Sequence, residues 1–216
     1  MPTIALTTFL KLCAKTPTAK ATAYGKYLEP GGYDFYWRLK AEARAMTLEG
    51  KPYFDCEQVI LAIKNEAERE HNLAGLKSLA QWLDKEKEHL KFFAPPNAVC
   101  TSPKDHLSIR LAPEFGVQTS AGRRLVTLWN SKVPAMTQKI AAPGIYLKQQ
   151  HLQTEQFSDC KCAIFDLRTA SMFLSDAVPS ELAATVAKEL NWVDWFFEQA
   201  GDKSDKKPTA IGAILS

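Results

Sequence analysis

The sequence predicts an α+β (or α/β) fold: an N-terminal helical layer followed by a small mixed β-sheet flanked by helices. Three observations carry that expectation. Apolar residues recur at helical spacing through most of the first 93 residues. From His106 to Arg168, β-type runs surround one amphipathic segment. Ala94-Pro95-Pro96-Asn97 is the clearest loop and separates the two regions. On this reading residues 1–93 are a helical region packed on an α/β core of residues 94–200 that includes a C-terminal helix. Residues 201–216 form a mobile tail.

From Ile4 to Lys15, apolar Ile4, Leu6, Phe9, Leu10, Leu12 and Cys13 predict a short helix with a mostly buried face, stopped by Thr16-Pro17. Lys20 to Leu28 is rich in Ala and Tyr and fits no single state, and Pro30-Gly31-Gly32 marks a turn. Tyr36, Leu39, Ala43 and Met46 then recur at helical spacing, so Tyr33 to Leu48 reads as a helix closed by Gly50. Asp55 stands where it would cap the next helix, with Gln58 completing a capping-box-like pattern. Val59, Ile63, Ala67, Ala74, Leu76, Leu79 and Leu83 continue the apolar faces, with Gly75 a candidate break. Asp84 to Lys91 is a solvated mixed-charge face.

The core begins with the run HLSIRLAPEFGV. In it Leu107, Ile109 and Leu111 alternate with Ser108 and Arg110 as a half-buried strand, with Glu114 toward the end of the run. Gln118 to Gly122 supplies turn residues, and Leu125, Val126, Leu128 and Trp129 form a second strand that leads to Lys132. Pro134 stops it, and Gln138 to Gln150 is helical although Pro143-Gly144 can kink or shorten it. Ala163, Ile164, Phe165 and Leu167 make a third strand and Met172-Phe173-Leu174 a short fourth. Pro179, then Leu182, Val186, Leu190, Val193 and Phe197, specify a strongly amphipathic last helix.

At 216 residues, 46% apolar and 24% charged, the chain has the composition of an ordinary globular protein. A formal charge of +3 is too small to imply a nucleic-acid or membrane partner by itself. Its distribution is uneven. Thr101 to Leu152 carries seven basic residues against two acids, a local +5, whereas Lys51 to Phe92 carries seven against eight. A basic α/β unit suits a phosphate-rich partner, and a chance imbalance on a solvated surface explains it equally. The five cysteines form an odd, scattered set, which with no clear secretion signal predicts a reduced, cytoplasmic protein. No apolar run approaches the roughly 18 residues a membrane span needs, so no membrane partner is expected.

Motifs that would name a chemistry outright are missing. The sequence has no GxxxxGK[ST], GxGxxG after a strand, HExxH, paired CxxC or GxSxG. Cys160-Lys161-Cys162 lacks a second pair for zinc, and His71, His89, His106 and His151 are scattered. What remains is the order helix, strand, turn, strand, helix, strand, with Glu114 on the first strand run and Asn130-Ser131-Lys132 closing the second. This arrangement resembles the restriction-endonuclease-like, or PD-(D/E)XK, core over about residues 55 to 175. In that superfamily an acid ends one hairpin strand and an acid-x-Lys closes the next, and the carboxylates hold Mg²⁺ for phosphodiester cleavage.

The resemblance implies Glu114 as catalytic acid and metal ligand, Lys132 as the phosphate- or water-positioning group, and Asn130 in place of the second acid. A helix acid, Glu66 or Glu70, would be a further metal ligand. Asn130 departs from the pattern, because an amide brings no negative charge to a hard dication. One residue-register alternative puts Thr127 there, which is no better. The resemblance therefore implies a degenerate member that binds nucleic acid with weak or no cleavage, using Mg²⁺ if active. Plainer readings stand beside it. Glu114 after Pro113 can cap a strand end, Lys132 beside Pro134 can be a solvated loop lysine, and Glu66 and Glu70 can pair with a cation such as Arg69. The alternative function is a non-catalytic protein-interaction module whose aromatic helices dock a partner. Trp192, Trp195 and Phe196 read as core or interface, and Tyr24, Tyr27, Tyr33, Tyr36 and Trp37 as packing between the N-terminal helices or, beside Lys20, Lys26 and Arg38, as base-stacking groups.

Overall fold

A computed structural model describes residues 1–25, 33–86, 90–174 and 180–204. Strand β1 (Thr3–Ala5) runs directly into helix α1 (Leu6–Cys13), followed by α2 (Pro17–Gly25). Helices α3 (Trp37–Leu48), α4 (Tyr53–Leu61) and α5 (Glu66–Glu86) come next. Five strands follow: β2 (Lys91–Phe93), β3 (Ala98–Thr101), β4 (Ser108–Leu111), β5 (Phe115–Thr119) and β6 (Gly122–Trp129). Helix α6 (Gln138–Leu152) crosses to β7 (Lys161–Asp166), which turns back into β8 (Ser171–Leu174). Helix α7 (Ser180–Ser204) ends the described chain.

The larger sheet has the order β2-β5-β6-β7-β8 and the smaller β1-β4-β3. In the larger, only β6 and β7 are parallel, and a parallel pair needs a long crossover, which α6 supplies. Both faces of this sheet are covered. Phe115, Val126, Leu128 and Phe165 pack with Leu39, Ala43, Ile60, Leu76 and Leu79 of α3, α4 and α5. Leu125, Trp129, Cys162 and Ile164 face the other way, into a core shared with α1, α6, α7 and the smaller sheet. Double burial is why the end of β6 reads as a near-continuous apolar run rather than an alternating one. The aromatic rings of α2 and α7 are largely spent in this second core. Tyr24 lies 5.6, 5.8 and 6.1 Å from Trp192, Phe196 and Phe197. No helix among the described residues is long and apolar enough to cross a membrane.

Several features differ from the sequence expectation, among them the start of α3, which is at Trp37 rather than Tyr33. Thr3–Ala5 is a strand rather than the first turn of a helix, because its backbone pairs in parallel with β4. The run from His106 to Val117 is two strands in different sheets, interrupted at Ala112-Pro113-Glu114. Pro113 lacks the N–H a continuous strand would need. Phe92-Phe93 lies in β2, and Val99 to Thr101 lies in β3, so the proline loop joins two sheets. The region before residue 93 is thus mainly helical, yet it supplies a strand to each sheet. Helix α5 runs unbroken through Gly75, and α4 starts at Pro52 without a side-chain cap, leaving Asp55 in its first turn. The expected turn at Pro30-Gly31-Gly32, Pro179, and the tail beyond Ser204 lie outside the described residues. α7 itself extends through Gly201.

Gly75 serves close approach. A Cβ there would stand 2.7 Å from Leu39 Cδ2 and 2.8 Å from Asn130 Nδ2. Gly75→Ala is therefore an overpacking change despite raising helix propensity. It should destabilise by about 1–3 kcal/mol in urea unfolding, against a gain of under about 1 kcal/mol if helix propensity decided.

Candidate functional site

Glu114 occupies the point where the two sheets separate. Its N–H donates to Val126 O at 2.9 Å, the last backbone bond between the β5 side and β6. Two residues further along β6, the Leu128 N–H has no opposing strand, and Glu114 Oε2 accepts it at 2.8 Å. The carboxylate thus stands in for a missing strand. Continuing the hairpin register by one step places Thr127 opposite Glu114, and both line a cleft of about 580 Å³.

The cleft is walled by α3, the start of α1 and the smaller sheet. It gathers Lys40 and Arg44, four apart and hence on one face of α3, with Arg110 of β4, Asp34 and the rim residues Trp37 and Val99. Trp37 and Val99 are 44% and 55% exposed, large apolar groups at the mouth of a charged cleft. Arg38 lies 4.2 Å from the Trp37 ring centroid. Lys40 Nζ bonds Asp34 Oδ2 at 2.8 Å. Burial opposes ionisation of Asp34, but Lys40, the Tyr36 N–H and Arg110 outweigh it and hold this carboxyl below its usual range. For Glu114 the balance reverses. Burial pushes its carboxyl up, against the opposing pull of Lys40, the Leu128 N–H and Lys148. Thr127 Oγ1 is buried without a hydrogen-bond partner, a polar group on the cleft floor left for a ligand or water.

The other sequence-predicted residues do not join Glu114 in this cleft. Asn130 follows β6 with its side chain turned to α5, where Nδ2 donates to His71 O at 2.9 Å. It lines a small neighbouring cavity that shares Thr7 and Lys40 with the main cleft. Lys132 is exposed in the next loop, whose curl is set by bonds from Trp129 Nε1 to Ser131 O and from Ser131 Oγ to Val133 O. Glu66 is a first-turn acid of α5 with a side chain 78% exposed, 4.0 Å from Arg69. That position favours an acid through the helix dipole alone. Glu70 is likewise exposed.

These residues do not fit Mg²⁺. Glu114 brings one carboxylate, one of whose oxygens is engaged by backbone, and its burial opposes ionisation. Among the described residues no group of three His, Cys, Asp or Glu is placed to hold a metal. A hard dication needs several charged oxygens, and Thr127 and Asn130 are neutral. Cys160 and Cys162 are buried thiols, with Cys160 pushed up to about 11 mainly by burial, so neither favours the thiolate a metal requires.

Lys40, Arg44, Asp34 and Arg110 were not singled out from sequence as a site. The spacing of Lys40 and Arg44 on one helix face was visible, but nothing local showed that β4 would deliver Arg110 to the same cleft. Lys148 was legible only as one of the seven basic residues between Thr101 and Leu152. It is fully buried on α6 and donates to Leu125 O at 2.8 Å and Ala163 O at 2.7 Å, pinning the crossover helix to β6 and β7. No family model matches the chain. No curated protein matches it significantly.

Burial pushes the Lys148 amine down to about 8, only partly offset by Cys162 and Glu114. The folded pKa lies below the ordinary 10.5, so this lysine contributes stability above pH 10.5 that is lost as pH falls through about 8. Urea unfolding should show wild type gaining stability relative to Lys148→Met between these limits. Parallel pH profiles would show that the buried amine does not titrate this way.

Proposed function

We propose that the protein binds nucleic acid through the Glu114 cleft on a restriction-endonuclease-like scaffold, with weak or no metal-dependent cleavage. The observation that carries the binding is the convergence of Lys40, Arg44 and Arg110 on one cleft with Trp37 exposed at its mouth. Cations neutralise backbone phosphates and an aromatic face stacks on a base, the two ingredients of single-strand binding. The scaffold reading draws support from the hairpin β5–β6, the crossover α6 and the parallel strand β7, with an acid preceding the hairpin; α5 comes before them, separated from β5 by β2, β3 and β4. Loss of cleavage follows from chemistry: with Glu114 bonded to the Leu128 N–H and Asp34 bonded to Lys40, the cleft does not offer a dication two free carboxylates.

The cleft carries a polar floor as well as cations. Glu114 Oε2 is committed to Leu128, so the carboxyl has one further oxygen to offer, beside the unpartnered Thr127 hydroxyl. A ligand reaching that floor would have to bring hydrogen-bond donors there and negative charge toward Lys40, Arg44 and Arg110. A nucleotide, with sugar hydroxyls or base amines close to phosphate, has that combination.

Fluorescence anisotropy with labelled single- and double-stranded DNA and RNA tests the reading. Binding should weaken steeply between about 50 and 200 mM salt, and Lys40→Ala/Arg110→Ala should lower the log–log salt slope by roughly 1.4 for a single strand. Glu114→Gln, which keeps the acceptor and removes the charge, should bind at least as tightly as wild type. No strand should be cut with Mg²⁺ or Mn²⁺. Salt-insensitive binding would reject the nucleic-acid interface, and cleavage abolished by Glu114→Gln would reject the degenerate site.

A further inference from the structure

We infer that a second cleft, at the carboxyl ends of the parallel strands β6 and β7, is a phosphate-binding site that receives a further phosphate of the same strand. The part concerning a shared strand rests on the proposed nucleic-acid reading; the phosphate site itself does not.

This cleft, of about 480 Å³, lies between α5 and the β7–β8 turn. Lys77 and Arg168 bring permanent positive charge to opposite walls, and His71, Ser78, Gln81 and Thr169 add groups able to hydrogen-bond phosphate oxygens. None of the described lining residues is a carboxylate. The nearest in sequence, Asp166, is buried beneath the turn, where it accepts bonds from the Arg168 N–H and the Thr169 hydroxyl, both at 3.0 Å. It therefore holds the segment that carries Arg168. Crevices beyond the carboxyl ends of parallel strands are recurrent ligand sites, and here both walls are anchored to that strand pair.

The two clefts lie on either side of a small cavity. This cavity, of about 20 Å³, shares Thr7 and Lys40 with the first cleft and Asn130 with the second, and Lys11 also lines it. Lys11, Lys40, Arg44, Lys77, Arg110 and Arg168 line these three cavities against Asp34 and Glu114. Six cations against two carboxylates leave +4, more than the +3 of the whole chain. The positive field is therefore concentrated where a polyanion could follow it. From Thr127, on the floor of the first cleft, to Asn130, on the wall of the second, is three residues of extended chain, roughly 10 Å. An oligonucleotide of a few residues spans that distance.

Two probes separate the parts of this inference. In an NMR titration of the ¹⁵N-labelled protein, inorganic phosphate should shift the backbone amides of His71, Lys77, Ser78 and Thr169, and Lys77→Ala/Arg168→Ala should abolish the shifts. No shift in wild type would overturn the site. In anisotropy with single-stranded oligonucleotides of two to ten residues, that double variant should match wild type on the shortest strand. On the longest it should lose about tenfold in affinity and roughly 1.4 in salt slope. Phosphate shifts without this length dependence would mean that the cleft takes free phosphate and would overturn the shared strand. If Lys40→Ala/Arg110→Ala weakens binding and Lys77→Ala/Arg168→Ala does not, the shared strand alone falls. If neither variant weakens it, the proposed function falls as well.

Discussion

The architecture around the candidate site depends on a side chain doing a strand's work. Where β5 and β6 part, the Leu128 N–H would be buried without a partner, at a cost of about 1–3 kcal/mol. Glu114 removes that cost by turning its carboxylate onto the backbone. The separation it permits lets the chain pass from the smaller sheet to the larger one through Ala112 and Pro113, and leaves a cleft between them. An acid in this place has a structural reason to exist without any catalysis. The same acid becomes available to a ligand because only one of its oxygens is needed by the backbone.

Two buried ionisable groups flank the sheet with opposite burdens. Burial raises the Glu114 carboxyl and lowers the Lys148 amine, so each is drawn toward its neutral form. Each contributes to the field that partly restores the other's charge. Lys148 spans the β6–β7 pair from the crossover helix through two carbonyls. On the other face, Gly75 lets α5 approach Leu39 and Asn130 at the carboxyl end of β6. The walls of both clefts are consequences of that packing. Their cations are supplied by elements far apart in sequence, α3, α5, β4 and the β7–β8 turn.

Much of the element inventory was legible because it rests on local periodicity. The helical spacing of Leu39 and Ala43, the apolar run through Leu125 and Trp129, and the stripe through Val186, Leu190 and Val193 each produced the element expected. Short strands escaped. Thr3–Ala5 and Lys91–Phe93 hold three residues each, too few for an alternation to show, and they exist because neighbouring strands offer backbone partners. Glu114 was picked out as the acid ending the first β-type run, whereas it precedes β5 at a junction between two sheets. Asn130, Lys132 and Glu66 were aligned to a pattern by spacing alone, and spacing cannot tell which way a side chain leaves the end of a strand or helix.

The sequence by itself determined the mixed α and β composition, the principal helices, the doubly buried strands and the basic bias of the core. Those properties follow from residue preferences acting over a few turns or pleats. Only the tertiary structure decided that HLSIRLAPEFGV serves two sheets and that Lys40, Arg44 and Arg110 share a cleft with Glu114. It also decided that Lys132 faces solvent. The physical reason is that charged side chains carry no periodic signal of their own. Their meaning depends on which buried surfaces bring their elements together, and that is a property of the whole packed chain.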